Sequence, residues 1–173
     1  MKSIQLALIG VLLAAGFVLH AVIPGILGPM KIDMLLTMMF LAIILFPNVK
    51  SVTVTALATG VIAALTTTFP GGQIANLIDK PITAFIVFGL YITLKKYKGN
   101  VILASGLTAV GTIISGAIFL ASASFVIDLP GSFVALFLTV VLPTAVINTI
   151  AMTVLFPIVK TVTKRSNFVY QQT

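Results

Sequence analysis

The chain contains no cysteine and no glutamate, and it has only one histidine and three aspartates. Without cysteine there is no disulfide framework, no thiol nucleophile and no thiolate metal site. One histidine and three aspartates are also too few to favour a cluster of metal ligands, so we expect no bound metal. These absences exclude most of the chemistry by which small proteins act as enzymes or metal binders.

Charge of either sign is also scarce. Only 8% of the 173 residues are charged, against 60% hydrophobic, and the mean hydropathy is +1.24. A soluble protein carries about 25% charged residues, so most of this surface must face lipid. Hydrocarbon forces the backbone to satisfy its own hydrogen bonds in helices or a closed barrel. The apolar runs are continuous rather than alternating, which excludes a barrel and predicts an all-α membrane protein.

Turn signals divide the apolar sequence into six predicted transmembrane helices within one domain, residues 1–173. Two spans of about 15 residues are short for a hydrocarbon core of about 30 Å. Pro81 is expected in the first turn of the fourth span and Pro143 at a kink in the sixth. The first span is too long for the apolar region of a signal peptide and is predicted to be retained. The predicted spans are Ile4–Ile23, Ile32–Phe46, Val52–Thr68, Pro81–Leu94, Val101–Ile127 and Phe133–Val159.

The basic residues predict the orientation in the membrane. Eight of the ten fall on one side of the predicted spans, and the three acids fall on the other. By the positive-inside rule, the basic side is cytoplasmic. Both termini then lie in the cytoplasm, as an even number of spans requires. The cytoplasmic set is Lys2, Lys50, Lys95, Lys96, Lys98, Lys160, Lys164 and Arg165, and the outer set is Lys31, Lys80, Asp33, Asp79 and Asp128.

The three outer connections each carry a Pro-Gly turn, at Pro24-Gly25, Pro70-Gly71 and Pro130-Gly131. Proline restricts φ and glycine permits positive φ, so these loops are expected to adopt defined conformations rather than to be flexible. Shaped, charge-bearing loops on one face only are typical of a receptor that is open to the outside.

Two adjacent charge pairs are the main candidates for ligand binding: Lys31 with Asp33, and Asp79 with Lys80. A charge at membrane depth costs roughly 2.5–3.5 kcal/mol on insertion scales, so such residues usually serve a site or pair with each other. A zwitterionic amino acid needs a cation for its carboxylate and an anion for its ammonium. The alternative is that both pairs lie in the headgroup layer and pair with each other or with lipid phosphate.

Met30, Met34 and Met38 recur at every fourth residue and therefore share one face of the second span. Methionine is adaptable and favours aromatic neighbours, so this face, with Met34 at its centre, is a candidate surface for an aromatic ligand. The alternative is ordinary helix packing.

Three further polar residues are candidates. Asn76 precedes Asp79 by three residues, and a helical segment would place it on one stripe with Asp79, Lys80 and Thr83. We expect Asn76 either to contact the ligand or to cap a neighbouring helix. His20, near the outer end of the first span, is positioned to donate to a carboxylate. Asn148, after Pro143, is expected to form an interhelical hydrogen bond instead.

Small residues line one face of the first span at Ala7, Gly10 and Ala14. Small residues let helices approach closely in lipid, so this face packs either inside the bundle or against a partner protein. A similar set in the fifth span is predicted to serve internal packing: Ala104, Thr108, Gly111 and Ser115.

Two segments resemble the tryptophan-transporter family of substrate-binding S components of energy-coupling-factor (ECF) transporters: LHAVIPGILGPMKIDMLLTMMF and FPGGQIANLIDKPITAF. The resemblance extends over nearly the whole chain. It implies capture of substrate from outside the bacterial plasma membrane, and docking on a transmembrane coupling subunit that is bound to two ATPase subunits. Docking in this superfamily often uses Ala-x-x-x-Ala on the first helix, which Gly10-x-x-x-Ala14 matches in size.

The chain lacks the P-loop pattern G-x-x-x-x-G-K-[ST] and the common hydrolase motifs. We therefore expect no enzyme activity and no cofactor, with ATP hydrolysed by the partner subunits.

The hypothesis is a six-helix receptor for tryptophan or a similar amino acid. Lys31 or Lys80 would hold the carboxylate, and Asp33 or Asp79 the ammonium, with Asn76, His20 and Met34 completing the site. The alternatives are a solitary proton-coupled amino-acid carrier, an S component for another aromatic or vitamin-like substrate, and a non-transport membrane subunit. We expect no nucleic-acid partner.

Overall fold

The computed structural model describes residues 3–22, 33–94, 99–127 and 129–165, with side chains described as far as residue 163. Several residues used in the predictions above lie outside this part of the chain, and their predictions are not tested by it: Lys2, Pro24, Gly25, Met30, Lys31, Lys95, Lys96, Lys98, Asp128, and the side chains of Lys164 and Arg165.

The described residues form six helices, as predicted. They are α1 (Ser3–Val22), α2 (Met34–Leu45), α3 (Val49–Thr66), α4 (Gly72–Thr93), α5 (Val101–Ser124) and α6, which runs over residues 133–165. Helix α6 consists of Phe133–Leu136, a π-helical segment Phe137–Val141, and Leu142–Arg165. Five of the six are long and apolar enough to cross a membrane, and α2 is shorter. The prediction of an all-α membrane protein is confirmed.

Polar residues at the helix starts explain several of these boundaries. The side chains of Asn48, Asn100 and Ser132 accept hydrogen bonds from backbone N–H groups in the first turns of α3, α5 and α6. Such N-caps satisfy donors that have no partner within the helix. The cap at Asn48 accounts for the start of α3 at Val49, three residues before the prediction.

Helix α2 lies at the centre of the bundle and contacts the other five helices. Its residues Met34 to Ile44 are all buried. Twelve residues span only about 18 Å, less than the bilayer core. Because the other helices shield α2 from lipid, it does not need to match the thickness of the bilayer.

Large apolar side chains cover the outside of the bundle instead. Leu65 is 81% exposed and Ile102 78% exposed, and similar residues on α1, α4 and α6 also point outward. Inside, glycine permits close approach: a Cβ at Gly111 of α5 would lie 2.7 Å from the Phe40 ring of α2. This burial pattern is that of a protein whose solvent is lipid.

The prediction for Pro81 is wrong. Helix α4 begins at Gly72, and Pro81 lies inside it rather than in its first turn. Gly71, with φ of +66°, adopts the left-handed conformation that glycine tolerates and starts the helix early. The segment QIANLIDK is therefore helical, and a proline within a membrane helix is tolerated because neighbouring groups satisfy the freed backbone.

Contacts between connections define the two ends of the bundle. A Cβ at Gly71 would lie 3.1 Å from Ile127, so the α3–α4 and α5–α6 connections adjoin. At the other end, Lys160 Nζ of α6 donates to the carbonyl oxygen of Gly99 at 2.6 Å. We call the end with Gly71 and Ile127 the outer end, since it is the end predicted to face outside.

Candidate functional site

A buried ionic cluster joins α2 and α4. Lys80 Nζ lies 2.6 Å from Asp33 Oδ2 and 2.9 Å from Asp79 Oδ2. Lys80 is about 12 Å along α4 from Gly72, and its side chain is only 3% exposed. The sequence suggests two separate pairs, whereas the structure places one lysine between two aspartates.

Asp79 is the enclosed carboxylate of this cluster. It is fully buried, and Oδ2 accepts from Ser115 Oγ at 2.7 Å as well as from Lys80. Its other oxygen, Oδ1, accepts from Thr83 Oγ1 at 2.7 Å. Three donors from α4 and α5 therefore stabilise this carboxylate without any ligand.

Asp33 is the open carboxylate. It caps α2 by accepting from Leu36 N at 3.1 Å, yet its side chain stays 20% exposed. His20 Nδ1 of α1 lies 3.8 Å from Asp33 Oδ1, and Asn148 of α6 donates to the Asp33 carbonyl oxygen at 3.2 Å. Asp33 is thus the point where α1, α2, α4 and α6 meet.

A cavity opens beside this cluster near the outer end of the bundle. It has about 660 Å³ of empty space, including the space at its open mouth. His20, Asp33 and Lys80 provide its charged and polar side. Residues of α2, α3, α5 and α6 form the apolar side. Thr67 and the exposed Thr68, after the end of α3, add hydroxyl groups. The remaining lining residues are Leu36, Ala63, Phe69, Asn76, Thr112, Ser115, Gly116, Phe119, Val140, Val141 and Thr144.

Two phenylalanines form an aromatic wall of the cavity. Phe69 and Phe119 pack edge to face, with ring centroids 5.4 Å apart and planes at 70°. Val140 and Val141 belong to the π-helical segment of α6 and also line the cavity. Such segments within α-helices are frequent at functional sites. The cavity lining thus includes the charged residues Asp33 and Lys80, which we call the ionic pole, and the Phe69–Phe119 pair, which we call the aromatic pole.

The predicted polar stripe on α4 is present. Asn76, Asp79, Lys80 and Thr83 are all buried on one helical face. The Asn76 amide donates to the Gly72 carbonyl at 2.9 Å and to the Ala63 carbonyl at 3.4 Å, and its side chain lines the cavity. The amide thus ties α4 to α3 and adjoins the cavity as well.

Met34 and Met38 of the predicted methionine face of α2 do not line the cavity. Met34 is buried but is not among the residues that line the cavity. Met38 belongs to the main core, and a Cβ at Gly16 of α1 would lie 2.9 Å from it. Within the described residues, Leu36 of α2 and its capping residue Asp33 line the cavity, so Met34 and Met38 serve the packing that the alternative interpretation describes.

The small residues of α1 do not pack inside the bundle. Ala7, Gly10 and Ala14 are exposed, and nothing lies within 4 Å of a Cβ at Gly10. The opposite face carries the buried residues of the helix: Gln5, Ile9, Leu13, Gly16 and His20. Internal packing is thus excluded for this face, and its role in docking stays a prediction.

Several lining residues give no signal in the sequence. Ser115, expected to serve helix packing, binds Asp79, and Phe119 and Thr144 have no motif around them. Phe69 begins the segment FPGGQIANLIDKPITAF but is not among the predicted site residues. Asn148 forms the predicted interhelical bonds, to Thr112 Oγ1 at 3.3 Å and to Asp33. Over the described ranges there is no group of three or more metal-ligating side chains.

The chain is similar to known transport proteins over nearly its whole length. Residues 2–164 match the family described as Tryptophan transporter TrpP. A "Probable tryptophan transport protein" of Bacillus subtilis is 50% identical over 168 residues, which cover 97% of each chain. Proteins of the same description in Clostridium acetobutylicum and Clostridium perfringens are 46% and 41% identical, over 86% and 90% of this chain and 86% and 91% of theirs. No solved structure is significantly similar to the chain.

Proposed function

The chain belongs to the tryptophan transporter TrpP family, and from this premise we propose that it is the substrate-binding S component of an ECF transporter. In this role it captures tryptophan on the outer side of the bacterial plasma membrane for ATP-driven uptake. It is a multi-pass membrane protein without catalytic activity or cofactor of its own. Its partners are a transmembrane coupling subunit and two ATPase subunits.

The observation that carries the proposal is the two-pole cavity. Asp33 and Lys80 line one side, and the Phe69–Phe119 pair lines another. A zwitterionic amino acid with a large aromatic side chain matches both poles. Polar and aromatic groups placed in this way are typical of small-molecule sites, where a few polar residues orient a ligand against an apolar wall.

Of the two aspartates, Asp33 is the better partner for the ligand's ammonium group. Three donors already surround Asp79, which is 0% exposed, whereas Asp33 faces the cavity and keeps its side chain 20% exposed. The cluster contains two carboxylates and one ammonium, a formal excess of one negative charge. A ligand ammonium beside Asp33 gives the second carboxylate a cationic partner of its own in surroundings where charge is poorly solvated. Because the ligand is a zwitterion, the net charge of the site is unchanged.

Lys80 is positioned to bind the ligand's carboxylate. An ammonium has three N–H donors, and two point to Asp33 and Asp79. Among the described residues, the acceptor for the third N–H is Ser115 Oγ, at the long distance of 3.5 Å. A carboxylate in the cavity is a stronger acceptor than this hydroxyl. Lys31, predicted for the same role, lies outside the described residues.

Two features of this chain support the proposed partner subunits, one for ATP hydrolysis and one for docking. It has no P-loop sequence for ATP hydrolysis. On α1, the small residues Ala7, Gly10 and Ala14 are exposed on one face. Close helix approach in membranes uses such small residues, so this face suits a helix of the coupling subunit.

Binding of ligand fragments to the purified protein tests the site. Asp33→Asn keeps the cap but removes the charge. We expect affinity for tryptophan and for tryptamine, which lacks the carboxylate, to fall about 10- to 100-fold, while indole-3-propionate, which lacks the ammonium, binds as before. Isothermal titration calorimetry measures all three, with Lys50→Gln, which removes an exposed charge outside the cavity lining, as the control.

Each result decides a different element of the proposal. If Asp33→Asn binds tryptophan as tightly as the wild type, the assignment of the ammonium group is wrong. If the wild-type protein binds no tryptophan, the receptor function itself is wrong.

A solitary proton-coupled carrier is the second candidate, favoured by the excess of buried carboxylate over ammonium in the cluster of Asp33, Asp79 and Lys80. It predicts tryptophan uptake that continues without the ATPase subunits and collapses with a protonophore. An S component predicts the reverse, so uptake in cells with and without the ATPase genes distinguishes the two.

A further inference from the structure

Thr144 differs from most threonines of the bundle in what its hydroxyl contacts. Many other helical threonines donate their hydroxyl to the carbonyl four residues earlier, as at Thr108, Thr149 and Thr163. Thr144 Oγ1 is buried and has no hydrogen-bond partner among the described residues. A buried hydroxyl without a partner costs roughly 1–3 kcal/mol in general, so this one needs an explanation.

The explanation lies in where Thr144 sits. It is 6% exposed and lines the cavity, on the same face of α6 as Val140 and Val141. Other buried polar atoms without partners in the described part of the chain belong to residues that do not line the cavity: Thr37, Thr55, Thr59 and Asn148. Among the described residues, Thr144 is thus the one that both lines the cavity and has a buried polar atom without a hydrogen-bond partner.

The surroundings of Thr144 specify the kind of ligand group that it meets. The ionic pole, with Asp33 and Lys80, already serves an ammonium and a carboxylate. Thr144 lies three residues after Val141, the last residue of the π-helical segment, and Val141 packs in one cluster with Phe69 and Phe119. A polar group on an aromatic-lined wall suits an aromatic ring that bears a single hydrogen-bond donor, and an indole has one such donor, its ring N–H.

We propose that Thr144 is a specificity-determining residue whose hydroxyl accepts a hydrogen bond from the indole N–H of the ligand. This inference rests on the proposed tryptophan site and adds the basis for selecting indole over phenyl side chains. A site built to pair a ligand N–H rejects analogues that lack it, because its own buried polar group then stays unpaired. Phenylalanine, which has no ring donor, is the ligand that this arrangement disfavours.

The test compares tryptophan with 3-benzothienylalanine, in which sulfur replaces the ring N–H and the ring keeps nearly the same shape. Calorimetry on the purified wild-type protein should give about tenfold tighter binding of tryptophan. In Thr144→Val, which keeps the side-chain shape, the two ligands should bind within about twofold of each other. Thr144→Ser retains a hydroxyl and should retain most of the preference. Thr149→Val, on the same helix but outside the cavity lining, should retain all of it.

Equal binding of the two ligands by the wild type, or an undiminished preference in Thr144→Val, overturns the role of Thr144 and leaves the receptor function standing. Absence of tryptophan binding by the wild type overturns both. The melting temperature without ligand reports folding of each variant. If Thr144→Val does not fold, Thr144→Ala, which also removes the hydroxyl, takes its place in the comparison.

Discussion

Lys80 of α4 donates to Asp33, the capping residue of α2, at 2.6 Å across 47 residues of sequence. This bond attaches the buried central helix to the helix that carries the polar stripe. Asp79 holds the same ammonium from the other side at 2.9 Å. The cluster is therefore at once a structural link between helices and the ionic pole of the cavity.

The first prediction separates these two roles. Lys80→Met leaves two buried carboxylates without their cation and should destabilise the protein by about 3–5 kcal/mol. The triple variant Lys80→Met, Asp33→Asn, Asp79→Asn removes all three charges and should recover most of that loss, since asparagine also caps helices. Thermal unfolding measures stability, and calorimetry should show that the triple variant no longer binds tryptophan.

Lys160→Met is the control for this prediction, because Lys160 is only half-buried and its bond is to a carbonyl at the other end of the bundle. A triple variant no more stable than Lys80→Met alone would contradict the view that unpaired charge causes the loss.

The second prediction concerns the contact between α5 and the π-helical segment. A Cβ at Gly116 would overlap the side chain of Val141, so Gly116→Ala should cost about 1–3 kcal/mol through overpacking and distort the cavity wall. Adding Val141→Ala should restore stability by making room for the new methyl group. Thermal unfolding of the single and double variants measures both effects.

Gly106→Ala provides the comparison, because it lies on the same helix with nothing within 4 Å of its Cβ. It should leave stability equal or slightly higher, as alanine favours helix. Equal losses at Gly116 and Gly106 would argue against the packing explanation.

The third prediction tests the exposed face of α1. Gly10→Leu places a bulky side chain where a partner helix is proposed to dock, and should abolish tryptophan uptake in cells that contain the coupling and ATPase subunits. Binding by the purified protein should be unchanged, because Gly10 is exposed and remote from the cavity lining.

Gly106→Leu is the matched control, since both glycines are exposed in mid-helix with open space around them. Uptake that survives Gly10→Leu, or that both substitutions reduce to the same degree, would rule out a specific docking face on α1.

The sequence by itself determined the all-helical membrane fold, the number of helices and most of their bounds. Continuous apolar runs and turn residues act locally, so each can be recognised without knowledge of the rest of the chain. The polar stripe from Asn76 to Thr83 was also predictable, because helical periodicity alone places those residues on one face.

Only the tertiary structure decided which residues share the cavity and how the charges pair. The sequence placed Asp33 with Lys31 and Asp79 with Lys80, yet Lys80 joins both acids because helix packing brings α2 against α4. Ser115, Phe119 and Thr144 reach the cavity from helices that carry no motif at these positions. Contacts between distant segments depend on how helices cross, and neighbouring residues in sequence do not encode that geometry.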